Sequence, residues 1–221
     1  MPIWQIEPGL IDYPAALSAM ESHVAGMLSG GAPEKVWLLQ HPPLYTAGTS
    51  AKAEELLNAG RFPVFEAGRG GRYTYHGPGQ RVAYVMLDLK QRGCDVRAYV
   101  SHLEGWVQDA LASFGIEAGT REGRVGLWVK HKGLDQKIAA IGVRIRRWVT
   151  FHGVSINVNP DLSHFGGIVP CGLGDYGVTS MHALGAKAGL SDVDEALQNC
   201  WQNHFEVPFI GEMAHKMRKT G

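Results

Sequence analysis

The side chains of this sequence best suited to nucleophilic chemistry are its cysteines, Cys94, Cys171 and Cys200. A reactive cysteine needs a partly exposed, electropositive setting, whereas a structural one sits among apolar groups. Cys200 falls on the apolar stripe of a C-terminal helical pattern and reads as core. Cys94 follows Lys90-Gln91-Arg92-Gly93 in a loop with nothing around it that looks like a site. Cys171 stands in Ile168-Val169-Pro170-Cys171-Gly172-Leu173-Gly174. Proline before it and glycine after it make a fixed, tight backbone that can present a side chain and admit a substrate. The local residues leave two readings open, a presented nucleophile or an ordinary loop cysteine.

A second candidate is the glycine-rich stretch Arg69-Gly70-Gly71-Arg72-Tyr73-Thr74-Tyr75-His76-Gly77-Pro78-Gly79-Gln80. Its glycines permit close backbone approach to a ligand, and Tyr73, Tyr75 and His76 are placed to line a pocket; a surface loop is the plainer reading. It lacks the Gly-Lys-Ser/Thr ending of a phosphate loop. The ten histidines show no zinc-ligand spacing, so no metal and no cofactor is expected.

The elements that must position these residues form a mixed α/β pattern of strands and flanking helices without regular alternation, which disfavours a doubly wound sheet. Residues 12–29 read as a helix with Leu17, Met20, Val24 and Met27 on one face, ended by Gly30 and Gly31. Residues 36–40 read as a buried strand stopped by His41-Pro42-Pro43, followed by a short helix near 54–58 and an extended run over 62–66. Strand formers fill 81–89. The clearest helix covers 96–114, with Gly115 as its cap. Residues 125–129 form a strand. Val143 and Ile145 alternate with Arg144 and Arg146, and Val154, Ile156 and Val158 with Ser155, Asn157 and Asn159, as two half-buried strands of a hairpin or meander would. Ser191 and Asp194 have the spacing of a capping box before a last helix.

The 221 residues suit one domain over 1–221. With 21 basic and 21 acidic residues the chain carries no excess of cations for phosphate neutralisation, so no nucleic-acid partner is expected. The start of the sequence lacks the pattern of a signal peptide, and no apolar run approaches the roughly 20 residues that span a bilayer. No membrane partner is expected. Three widely spaced cysteines suggest no disulfide framework, and a reducing cytoplasm is the expected compartment.

The glycine-rich stretch resembles the hallmark loop of the lipoyl(octanoyl) transferase family. So do Lys137-Ile138-Ala139-Ala140-Ile141-Gly142-Val143-Arg144, Phe151-His152-Gly153, Asn157-Val158-Asn159 with Asp161-Leu162, and Pro170-Cys171-Gly172, in the family's order and spacing. Residues 130–136 depart from it, being longer than the family's glycine-x-lysine turn. The resemblance implies a fold similar to the catalytic domain of biotin and lipoate ligases. It implies transfer of octanoate from acyl carrier protein to a lysine of lipoyl domains, in 2-oxoacid dehydrogenase complexes and the glycine-cleavage H protein. It makes Cys171 the nucleophile and Lys137 its partner. Arg69, Gly70, Gly71, Arg72, Tyr73, Thr74, Tyr75, His76, Ala140, Ile141, Gly142, Gly153, Val154 and Ser155 then fall on the acyl-pocket segments.

Acyl exchange between a thioester and an amine suits a thiolate, which splits the transfer through an acyl-enzyme. Lys137, 34 positions before Cys171, would favour the thiolate and later relay the amine proton; without the resemblance it reads as a solvated strand-end lysine. His76 is the rival base, or a donor to the thioester oxygen, and backbone N–H groups near Gly172 would serve the oxyanion. Tyr73, Tyr75, Ile141 and Val154 are expected along the acyl tunnel. Arg144, Arg146 and Arg147 are candidates for docking an acidic carrier, a solvated strand face being the alternative. Competing functions are an ATP-dependent lipoate or biotin ligase, a non-catalytic acyl-carrier-binding module, and a thioesterase.

Overall fold

In the computed structural model, residues 1–169 and 177–206 are described. Cys171 and its neighbours 170–176 lie outside the described residues, as do residues 207–221.

Strands β1 (Ile3–Leu10), β2 (Lys35–Gln40), β6 (Gln80–Met86), β10 (Val149–Asn157), β9 (Leu134–Arg146), β8 (Arg124–His131) and β7 (Gly119–Arg121) lie side by side in that order in the main sheet. β1 and β2 run parallel, and the remaining neighbours on this path are antiparallel. A smaller sheet holds β4 (Val64–Glu66), β3 (Leu44–Ala47) and β5 (Thr74–His76). The short strand β11 (Gly177–Val178) pairs in parallel with Gln136 and Lys137 of β9. It takes over the edge that β10 leaves when its pairing ends at Ile156 and Ala139.

Three helices cover the main sheet. α1 (Tyr13–Leu28) buries Ala16, Met20 and Val24 against Trp37, Leu39, Tyr84, Met86 and Phe151. α2 (Val96–Ala112) and α3 (Leu190–Phe205) pack together over a core that includes Val36, Leu38, Ala83, Val85, Ile138, Val154 and Ile156. The α2 stripe of Tyr99, Leu103, Trp106, Val107 and Ala110 is buried because residues at these spacings share one face. Asp95 caps the helix by accepting from the amides of Arg97 and Ala98 at 2.8 and 2.9 Å.

The β9–β10 hairpin forms as the alternation requires, and its two-residue turn places Arg147 and Trp148 at φ +50° and +70°, the left-handed pair that matches strand twist. The expected half-exposure is wrong for β10: Ser155 and Asn157 are buried with the rest of the strand, because the smaller sheet and β11 cover the polar side. On β9, Val143, Arg144 and Ile145 are all half-buried. The helix expected near 54–58 is a single 3₁₀ turn at Ala53–Glu55. The last helix is capped two residues earlier than expected. Gly189 is the cap position and its amide donates to Asp192 Oδ2 at 2.7 Å. Asp194 instead turns inward to a buried ion pair with Arg81 of β6, with contacts of 2.8 and 2.9 Å. Cys200 is half-buried against the core, as its stripe position requires, and burial and then the Asp109 carboxylate push its thiol up.

Candidate active site

Lys137 is held inside the main sheet. It is 6% exposed, its ammonium donates to the carbonyl of Val125 at 3.1 Å, and it lies 4.6 Å from the centre of the Trp128 ring. A solvated strand-end lysine is therefore excluded. The side chain can lie across β8 because position 126 is glycine. A Cβ there would come 2.6 Å from the Ala139 oxygen and 3.5 Å from Lys137 Cε, and the backbone takes φ +107°. A register shift between Leu127 and Trp128 accompanies this crossing. Residues 130–136, where the sequence departs from the family pattern, form the ends of β8 and β9 around a turn with Lys132 and Gly133 at φ +50° and +82°.

The pocket around Lys137 is walled by Thr74, Gln80, Ala140, Ser155, Asn157, Phe165 and Val178. It shares Thr74, Ala140 and Ser155 with a longer cavity between the main sheet and the smaller one. That cavity is lined by Arg69, Gly71, Arg72, Thr74 and His76 on one side, and by Ala140–Ser155 strand residues Ala140, Ile141, Gly142, Gly153, Val154 and Ser155 on the other. Gly70, Tyr73 and Tyr75, expected with them, do not line it. Tyr73 and Tyr75 pack instead with Tyr45, Phe165 and Ile168, and the Tyr75 hydroxyl lies 2.7 Å from His164 Nδ1. Of the four residues expected along the acyl chain, Ile141 and Val154 line this cavity and Tyr73 and Tyr75 do not.

The loop is shaped by its own arginine. Arg69 is buried, and its guanidinium donates to the carbonyls of Gly70, Arg72 and Thr46 and to the Thr46 hydroxyl at 2.7–3.1 Å. Gly142 makes room for it, since a Cβ there would meet Arg69 Cδ at 2.7 Å. Arg72 is paired with the buried carboxylate of Glu55.

A chain of amides determines the state of His76. The Thr179 carbonyl can only accept, so Asn157 turns its Nδ2 to it at 2.9 Å and its Oδ1 to Gln80 Nε2 at 2.9 Å. Gln80 Nε2 also donates to the Tyr75 carbonyl, which leaves its Oε1 to accept from His76 Nδ1 at 2.7 Å. His76 therefore carries its proton on Nδ1. Burial, followed by the neighbouring His41, lowers its pKa to about 3 and keeps it neutral. Nε2 of that tautomer is an acceptor, so the expected donation from His76 to a thioester oxygen does not fit.

Sequence reasoning missed Tyr13, Val82, Tyr84 and His152, which complete the cavity wall, and Gly126 beneath Lys137. Tyr13 and Tyr84 stand in patterns that read as helix and strand core. His152 falls within the Phe151-His152-Gly153 motif without being singled out there, and its left-handed φ of +58° is invisible in sequence. Arg144 reaches Glu21 at 3.4 Å and lies over Phe151, whereas Arg146 and Arg147 are exposed at the hairpin tip. Among the described residues no group of three His, Cys, Asp or Glu is placed to hold a metal, and no helix is long and apolar enough to cross a membrane.

The family model for the lipoyl protein ligase A/B catalytic domain matches residues 12–202. The chain belongs to this family. Within it, the chain is 60% identical over 205 residues to an octanoyltransferase of Maricaulis maris, covering 91% of both. It is 62% identical over 198 residues to an octanoyltransferase of Sphingopyxis alaskensis, covering 89% of this chain and 91% of the relative. These relatives make it an acyltransferase of the lipoyl ligase fold. The fold also matches a crystal structure of lipoate-protein ligase A bound with ATP, at a TM-score of 0.68 and 16% identity over all of this chain and 95% of that one. At that identity the likeness is one of fold alone.

Proposed function

We propose that this family member transfers an octanoyl group from octanoyl-acyl carrier protein to a lysine of lipoyl domains, in the cytoplasm, through a thioester on Cys171. The acceptors are the lipoyl domains of 2-oxoacid dehydrogenase complexes and the glycine-cleavage H protein. The observation that carries the reading is that the Lys137 pocket and the cavity walled by Ile141 and Val154 adjoin through shared walls at Thr74, Ala140 and Ser155. An ammonium at the head of an apolar slot fits an acyl thioester. The described chain resumes at β11, paired beside Lys137, six residues after Cys171.

In the first step the Cys171 thiolate attacks the octanoyl carbonyl, a new C–S bond forms, and the bond to the carrier sulfur breaks. The carrier leaves as a thiolate and takes a proton from the Lys137 ammonium, which is left neutral. In the second step the acceptor amine attacks the acyl-enzyme carbonyl and gives up a proton to neutral Lys137. The amide forms and Cys171 leaves as thiolate. Lys137 as ammonium favours that thiolate; an unperturbed thiol near pKa 8.5 is only a few per cent ionised at pH 7. The thioester brings its own activation, so no step consumes ATP.

The test is the mass of a lipoyl domain after incubation with the enzyme and octanoyl-carrier, without ATP. Addition of one octanoyl group to its lysine supports the reading. Modification only with free octanoate and ATP would replace it with a ligase, and release of free octanoate in place of transfer would replace it with a thioesterase.

A further inference from the structure

Glu104 is a carboxylate that the acyl-transfer steps leave unused, and one peptide separates it from Lys137. It projects from α2, which packs against β8 and β9, and it is half-buried. Its Oε1 accepts from the backbone amide of Gly126 at 3.3 Å. The carbonyl of the same peptide unit, that of Val125, accepts from the Lys137 ammonium at 3.1 Å. The 125–126 peptide therefore joins the two side chains, with the carboxylate at its N–H end and the ammonium at its C=O end.

The backbone turns this peptide toward side chains. The residue pairs of β8 with β9 begin at Leu127, and the register of β8 with β7 shifts between Arg124 and Trp128. Gly126 takes φ +107°, a conformation that residues with a Cβ rarely adopt. The peptide is trans, so its N–H and C=O point in opposite directions. Each peptide unit carries a dipole of about 3.5 D, positive at N–H and negative at C=O. An anion at the first end and a cation at the second both lie in the favourable sense, and hydrogen bonds linked in this way polarise one another.

Holding a carboxylate away from water costs stability unless a partner offsets it. Burial raises the Glu104 carboxyl above its ordinary value, and the Gly126 amide draws it back. The other charged groups at this edge of the sheet engage one another: Arg121 and Arg124 reach Asp135 at 2.9 and 3.4 Å. A glutamine at position 104 would meet the Gly126 amide equally well, without the desolvation of a charge.

We propose that Glu104 is a positioning residue for acyl transfer, acting through the Val125–Gly126 peptide to keep the Lys137 ammonium charged and fixed at the head of the acyl slot. The inference rests on the reading of Lys137 as the partner of Cys171.

The test follows the Lys137 titration by NMR of protein carrying carbon-13 at the lysine ε-carbons, the signal missing from Lys137→Gln giving the assignment. Glu104→Gln keeps an acceptor for the Gly126 amide and removes the charge. Charge-assisted hydrogen bonds are roughly twice as strong as neutral ones, so the Lys137 midpoint should fall by about 0.7 pH unit, about fivefold in the equilibrium. The alkaline limb of the single-turnover acylation profile with octanoyl-carrier should move down with it. The urea midpoint should hold or rise, whereas a purely structural Glu104 would lower it and leave the titration in place. An unchanged Lys137 midpoint in folded Glu104→Gln overturns the proposal, as does a shifted midpoint with an unmoved acylation profile. Glu104→Ala, which also removes the hydrogen bond, gives the same readings if the glutamine variant folds poorly. If wild type takes no octanoyl group from the carrier, the parent reading fails, and the NMR midpoint still decides whether Glu104 acts on the ammonium.

Discussion

The Lys137 ammonium lies 4.6 Å from the centre of the Trp128 ring while donating to the Val125 carbonyl at 3.1 Å. A cation over an indole face is stabilised by the ring quadrupole, so Trp128 and Val125 help to hold the ammonium in place. Lys137→Gln keeps a terminal N–H donor, on a side chain one atom shorter, but cannot carry a charge or accept a proton. Acyl transfer in Lys137→Gln should fall by about 10²–10⁴-fold, the range of general acid–base catalysis, with unchanged urea stability within roughly 1 kcal/mol. Single-turnover kinetics with octanoyl-carrier checks it, and near-wild-type transfer would remove Lys137 from the chemistry.

Gly126 is the floor on which that lysine rests. Gly126→Ala places a methyl group 2.6 Å from the Ala139 oxygen at a φ of +107°. The expected outcome is a loss of more than about 1 kcal/mol in stability together with slower acylation, read by urea unfolding and by the same kinetics. A variant of full stability and rate would show that β8 needs no glycine there.

The amide chain through Asn157 and Gln80 predicts an intolerance to charge. Gln80→Glu would set a carboxylate against the Tyr75 carbonyl and Asn157 Oδ1, both acceptors. Loss of about 1–3 kcal/mol is expected at pH 7, with Gln80→Met less damaging because it adds no charge. Chemical denaturation of the two variants decides it; equal stability would contradict the assigned amide orientations.

Much of this arrangement is legible in the sequence, and what is not has physical reasons. The α2 stripe and the β9–β10 alternation state their own geometry, since burial on one face repeats with the period of the element. The segments Arg69–Arg72, Ala140–Gly142 and Gly153–Ser155 are marked as pocket by the family resemblance of their motifs, and all of their residues but Gly70 line the cavity. Tyr13, Tyr84 and Gly126 carry no such mark. They reach the cavity and Lys137 through α1 lying over the sheet, β6 pairing between β2 and β10, and a register shift in β8. Asp194 illustrates the same limit: its spacing from Ser191 imitates a cap, but its partner is Arg81, more than a hundred residues earlier.

Acid sensitivity follows from three buried histidines. Burial lowers His76 and His152 to about 3 and His41 to about 4, all below the ordinary value near 6.5. The folded protein keeps these rings neutral while the unfolded chain takes up protons. Their contribution is present above about pH 6.5 and is lost as pH falls toward the folded-state values. Together they should remove about 4 kcal/mol between pH 7 and 5.5, measured by urea unfolding. A flat profile over that window would contradict their burial as neutral rings.

The central claim is the covalent route through Cys171, and intact-protein mass tests it most directly. The protein and its Cys171→Ala variant are mixed with octanoyl-acyl carrier protein in the absence of acceptor. The account predicts a single octanoyl adduct on the wild-type chain, none on the variant, and discharge of the adduct when a lipoyl domain is added. Octanoyl-lysine forming on the acceptor at an undiminished rate with Cys171→Ala, and no adduct on either protein, would contradict it.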